Sequence, residues 1–141
     1  MRSLLIITIG VFLLIGLSSF QSSVENSKKN WEHLGTRNIN WNLEKDVIEV
    51  GHNRVGFTSL KIKVTGGAVN MNRMMVTYGN GKTENIPLKF NFTKGAESRI
   101  IDLKGDKRQI KKISFWYDTK NRSKQKAKVH VFGKKGATHL R

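Results

Sequence analysis

Cysteine is absent from this chain, and with it go disulfides, thiolate metal sites and lipid attachment at a processed N-terminal cysteine. Small exported domains often lean on disulfides because their cores are thin. Here about 120 residues beyond the N-terminal segment must bury enough apolar surface unaided, which this length permits, since folding then hides roughly two thirds of the unfolded surface. Acids are scarce as well: ten Asp and Glu stand against 26 Lys and Arg, a formal net charge of +16 with a pI near 10.5. So few carboxylates leave little for the paired acids of glycoside hydrolysis, and no dense Asp/Asn/Gly loop offers a calcium site. Glu44, Asp46 and Glu49 fall near strand ends or turns. His33, His52, His130 and His139 are scattered and lack metal spacing, and no Gly-x-Ser-x-Gly occurs. Nucleophilic catalysis needs a base held beside an activated nucleophile. Distant residues can converge in space, but the pattern points to a protein that is not an enzyme and needs no cofactor or metal. An RNA-binding aromatic signature and a helix for a major groove are also missing.

What is present begins at the N-terminus. Arg2 precedes an almost unbroken apolar run from Leu4 to Leu17, followed by the small residues Ser18 and Ser19. This three-part layout predicts a signal peptide over residues 1–21. A retained anchor is the alternative, but a span needs about 20 apolar residues. After processing no integral span is expected, and the protein belongs in the periplasm or outside the cell. Residues 22–30 form a polar leader.

From Trp31 onward the apolar residues alternate with period two. Leu60, Ile62 and Val64 make one such set, Ile86, Leu88, Phe90 and Phe92 another. Ile113, Phe115 and Tyr117 follow, then Ala127, Val129 and Val131, with a shorter strand near Val47 to Val50. Val69 and Met71 share one parity whereas Met74, Val76 and Tyr78 share the other, which predicts a bulge near Asn72 or Arg73. Pro87 suits an edge strand or bulge, and Gly79-Asn80-Gly81 reads as a hairpin turn. Seven to nine short strands with regular turns predict an all-β, antiparallel β-sandwich of jelly-roll type over residues 31–133, with a basic tail over 134–141.

Trp31-x-x-Leu34-Gly35-x-Arg37, Asp46-x-Ile48-x-Val50-Gly51 and Val76-Thr77-Tyr78-Gly79-Asn80-Gly81 recur in a recognisable set. Ser98-Arg99-x-Ile101-Asp102-Leu103-x-Gly105, Arg108-x-Ile110-x-x-Ile113-x-Phe115-x-Tyr117 and Val131-Phe132-Gly133 complete it. Together they resemble a family of small exported bacterial all-β proteins classed as a domain of unknown function. The resemblance implies export and a β fold, and it supplies no activity. Ser98 to Tyr117 also resembles a strand pair of galactose-binding-like jelly rolls, an analogy of fold alone.

The charge is skewed. Residues 104–141 hold ten lysines and three arginines against Asp106 and Asp118. A polycation concentrates near anionic polymers, so an anionic polysaccharide or envelope component is the expected partner, with extracellular nucleic acid second. Period two places Lys124, Lys126 and Lys128 on one face, and Lys112 and Trp116 on one face of the preceding strand. Were those strands neighbours, a basic face with an aromatic platform would result. Arg99 and Arg108 interrupt otherwise apolar strands and could hold a carboxylate or sulfate through the guanidinium fork. Trp31 and Trp41 are expected to cap the core ends. A structural or stress-associated accessory protein with a protein partner is the alternative function. The oligomeric state is open.

Overall fold

The computed structural model describes residues 30–51, 54–118 and 126–136. The expected signal peptide, the leader to residue 29, the 119–125 connection with Lys124, and residues 137–141 lie outside the described residues. A compact unit begins at Trp31.

Eight strands follow: β1 (Trp31–Asn38), β2 (Lys45–Glu49), β3 (Phe57–Thr65), β4 (Val69–Tyr78), β5 (Thr83–Phe92), β6 (Ile101–Asp102), β7 (Ile110–Tyr117) and β8 (Lys128–Lys135). They form two antiparallel sheets in the orders β1-β8-β3-β6 and β2-β7-β4-β5. The first strand pairs with the last, the second with the seventh, the third with the sixth and the fourth with the fifth. That nesting is a long hairpin rolled up from the β4–β5 turn, the eight-stranded jelly roll. β8 runs to Lys135, so the first two residues of the expected tail belong to the sheet, where Lys134 pairs with Trp31 and Ser59.

The interior follows the alternation. Leu60, Ile62, Val64, Ile113, Phe115, Val129 and Val131 are all fully buried between the sheets, each side chain contributing about 1.5–3 kcal/mol. The expected bulge is real, because both ladders of β4 shift register between Met71 and Arg73. The shift turns Met71 and Met74 to the same interior although their parity differs. Pro87 sits opposite Arg73 on the outermost strand of its sheet. At the β4–β5 hairpin Gly81 takes φ 84°, and Asn80 Oδ1 accepts the Lys82 amide at 3.0 Å. Phe90 departs from its set: it shares the inward parity of Leu88 and Phe92 yet stays half exposed at the rim.

One polar tie crosses the interior. Asp46 of β2 is almost completely buried. It accepts the Tyr117 hydroxyl at 2.8 Å, the Arg37 Nε at 3.1 Å and the Asn40 amide at 3.3 Å. Arg37 comes from β1, so the carboxylate links the edge of one sheet to the other. Trp41 covers this end, its ring edge-on to Tyr117 at 6.1 Å, and so caps the core as expected. Burial first, then the hydrogen bond to Asp46 and its charge, hold the Tyr117 phenol well above its ordinary pKa. It therefore remains a hydrogen-bond donor across any ordinary pH.

Candidate functional site

The topology separates the residues nominated from sequence. Lys112 and Trp116 lie on β7, and Lys128 lies on β8 with Lys126 just before it; those strands are in different sheets. The basic face that would join them is therefore not formed. Trp116 does point outward, but it is no open platform. The Arg73 guanidinium lies 3.7 Å from its ring centroid and the Lys45 ammonium 4.9 Å, both delivered by the flanking strands. The Lys126 carbonyl packs so tightly on Gly66, at φ 81°, that a Cβ there would fall 2.1 Å from it.

Arg99 and Arg108 do not interrupt regular strands as the alternation suggested, since both lie outside the strands. Arg99 lies in an extended segment whose neighbour Ser98 bonds to Ile62 of β3 through both its amide and its Oγ. Arg108 makes one isolated bridge with Phe57. Its guanidinium stacks on the Tyr78 ring at 3.7 Å and donates to the Lys104 carbonyl at 2.9 Å. Tyr78 donates in turn to Glu84, which also accepts the Lys104 amide. Arg108 thus pins the β6–β7 connection.

A different constellation occupies the outer face of β1, β8 and β3. Down the middle strand Lys128, His130, Phe132 and Lys134 alternate outward between the buried Val129, Val131 and Gly133. β3 contributes Lys61, Lys63 and Thr65, in register with Phe132, His130 and Lys128. β1 contributes Trp31, His33, Thr36 and Asn38. His33 and Thr36 are an odd number apart and would face opposite ways in a regular strand. The register shift between His33 and Gly35 puts both outside while Leu34 stays buried.

These residues touch. The His33 and Phe132 ring centroids lie 5.3 Å apart, and those of His33 and His130 6.1 Å. The Lys61 ammonium sits 4.9 Å from the Trp31 ring and 3.4 Å from Glu97. Trp31 therefore belongs to this face and does not cap the core. Thr65 Oγ1 bonds with His130 Nε2 at 2.7 Å, His130 Nδ1 with Thr36 Oγ1 at 2.8 Å, and that hydroxyl with His33 Nε2 at 2.8 Å. A hydroxyl donates one proton and a neutral imidazole one, so the four groups form a directional chain.

Burial lowers the pKa of His130, and the nearby His33, Lys128 and Lys63 lower it further. His130 is thus a weakened base within a cationic surround. Its sign in stability follows from linkage: below the unfolded value of 6.5 the unfolded chain takes up the proton more readily than the native one. The stabilisation is present above that pH and lost as pH falls. Urea midpoints measured between about pH 5 and 8 should drop toward acid. His130→Gln, which keeps a donor and an acceptor, should flatten that slope; an unchanged slope would mean His130 is not its source.

The fold and this surface define the class: a jelly-roll domain presenting an aromatic strip edged by lysines. The chain belongs to the DUF2541 family, described as a domain of unknown function, which residues 6–133 match. No curated protein matches the chain. Among solved structures it is similar to one described as a structural and functional characterization of Pseudomonas aeruginosa AlgX. The identity is 12% and the TM-score 0.51, over 75% of this chain and 27% of that one. The chain thus spans about a quarter of that protein's length, and the likeness is one of fold. A Tobacco streak virus coat protein aligns at 14% identity over 80% of this chain and 91% of that one, with a TM-score of 0.29. Among the described residues no helix is long and apolar enough to cross a membrane.

Proposed function

We propose that this is a non-enzymatic binding protein of the cell envelope or extracellular space, and that its outer β1–β8–β3 face lies along an anionic polysaccharide. The observation that carries this reading is the strip of Trp31, His33, Phe132 and His130 between Lys61, Lys63, Lys128 and Lys134. Outward residues on one strand recur about every 6.8 Å, so β8 offers an extended ladder suited to a linear polymer. Rings can pack on sugar faces, and the lysines supply charge. Asn38 adds a neutral hydrogen-bonding group, and the Thr36 and Thr65 hydroxyls, already engaged with the imidazoles, keep lone pairs that can accept from sugar hydroxyls. The imidazoles are bridged by hydroxyls and flanked by cations, and among the described residues no carboxylate bonds to them to strengthen them as bases, which favours binding over turnover.

The experiment is a titration of the processed domain with polygalacturonate, neutral dextran and oligo-dT at several salt concentrations. Polygalacturonate should bind, with affinity falling steeply as salt rises because counterions are released. Dextran should not bind measurably. Equal affinity for dextran would refute the reading, and a marked preference for oligo-dT would reassign the face to nucleic acid.

A further inference from the structure

The β5 edge of the sandwich carries a second feature, distinct from the basic face. β5 is the outermost strand of its sheet, ten residues long and paired with β4 alone. The other sheet edges are shorter: β2 has five residues, β6 two, and β1 eight with a shift at Leu34, whereas β5 carries its own register shift between Pro87 and Phe90, opposite Met71 to Arg73. Natural sheets blunt long open edges with charges, prolines and bulges. On β5 Pro87 and the register shift beside it do so at mid-strand, and beyond Pro87 the edge runs from Leu88 to Phe92.

Beside that half lies a groove of about 160 Å³ lined by Pro87, Leu88, Phe90, Ser98 and Arg99. It has room for one aliphatic or aromatic side chain rather than a whole small molecule, whose sites run to roughly 300–1,000 Å³. Its walls are apolar and open: Phe90 is 48% exposed, and the neighbouring Ile100 is 55% exposed. Arg99 is the charged group lining the groove, and among the described residues it makes no ion pair. An open edge supplies main-chain hydrogen bonds, a side pocket selects one side chain, and an unpaired guanidinium selects a carboxylate. A second copy of this chain would bring its own +16 charge to the contact, which argues against self-pairing.

We propose that the Leu88–Phe92 edge of β5 accepts an extended acidic segment of another protein as an added strand. One apolar side chain of that segment seats between Leu88 and Phe90, and a carboxylate meets Arg99. The test uses a synthetic peptide of alternating Glu and Val, ten residues long, at physiological salt, with amide NMR and hydrogen exchange on the processed domain. Protection should appear at residues 88–92 and spare the β1–β8–β3 face. Arg99→Glu and Phe90→Asp, both at exposed positions, should each weaken binding about tenfold or more. Methylating alternate peptide nitrogens should abolish binding by removing the strand hydrogen bonds, while polygalacturonate binding stays unchanged in both variants. Protection mapping to the basic face, equal binding of a Lys/Val peptide, or affinity indifferent to Arg99→Glu would each overturn the proposal. So would concentration-dependent protection of β5 in the protein alone, which would make a second copy the occupant.

Discussion

Replacing Asp46 by Ala should destabilise the domain by about 2–4 kcal/mol, since it removes a buried, hydrogen-bonded carboxylate and strands its partners. Three donors converge on that side chain: the Tyr117 hydroxyl, the Arg37 guanidinium and the Asn40 amide. Without it the Tyr117 hydroxyl keeps only the Asn40 carbonyl, at 2.8 Å, and Arg37 turns to solvent. Half of the Arg37 side chain is already exposed, so the ion pair itself contributes modestly and the buried hydrogen bonds dominate. Asp46→Asn should therefore cost about 1 kcal/mol, because an amide oxygen still accepts from Tyr117. Tyr117→Phe should fall between the two, and the double variant should be less damaging than the sum, as groups in one network require. Thermal unfolding would read the Ala variant as a fall of roughly 10–20 °C. A loss under about 1 kcal/mol would show that packing of Trp41 and Ile48, rather than the tie, joins the two sheets at this end.

The contrast between Asp46 and its surroundings shows what the amino-acid pattern carries. Period two fixes which side of a strand is buried, so Leu60, Ile62, Val64 and Val129 were legible one by one. The change of parity after Met71 made the β4 bulge legible, and Gly79-Asn80-Gly81 did the same for the hairpin. Alternation says nothing about which strand lies beside which. β7 and β8 are consecutive in the chain yet part into different sheets, and β8 instead joins β1, about 100 residues away. The basic face built on Lys112, Trp116, Lys124, Lys126 and Lys128 fails for that reason. Lys128 alone among them lies in the surface found, and Lys124 is outside the described residues.

Trp116 illustrates a second limit. Its outward direction was readable, but the Arg73 and Lys45 side chains that cover it depend on cross-strand register. The histidines illustrate a third. His33 and His130 look scattered in sequence, and only first-with-last pairing brings them together. The signal that was available was weak: Lys128, His130, Phe132 and Lys134 share the parity opposite to Val129 and Val131, which placed an aromatic and charged row on one face. Thr36 could not have been added to it without knowing of the irregularity at Leu34. Arg99 does not interrupt a regular strand, because Ser98 before it bonds to β3 through a hydroxyl as well as an amide, and its side chain instead lines the groove beside β5.

Reversing Lys63, Lys128 and Lys134 together to Glu should weaken polygalacturonate binding roughly a hundredfold near physiological salt, from the loss of three counterion-releasing contacts and the added repulsion. The logarithmic salt dependence should shrink by about two to three units, one for each contact removed. Lys61 is left in place because it pairs with Glu97 and covers Trp31, so its reversal would confuse charge with packing. The control reverses Lys82, Lys111 and Lys112, which belong to the hairpin and strands of the other sheet and lower the net charge equally. If affinity tracks net charge alone, both triple variants should weaken binding alike and the face would have no special role. If the face binds, the control should stay within about threefold of the parent, because charges beyond one Debye length are largely screened. Acid offers a second discrimination on the same proteins. Burial first, and the cationic neighbours second, hold the His130 pKa down; bound carboxylates would oppose the second cause, so polygalacturonate affinity should rise as pH falls even while the free protein loses stability. Those two trends run in opposite directions, and a general effect of acid on the fold would move both the same way. The rise should vanish in His130→Gln and persist in the control triple, which places the proton on this face rather than on the polymer.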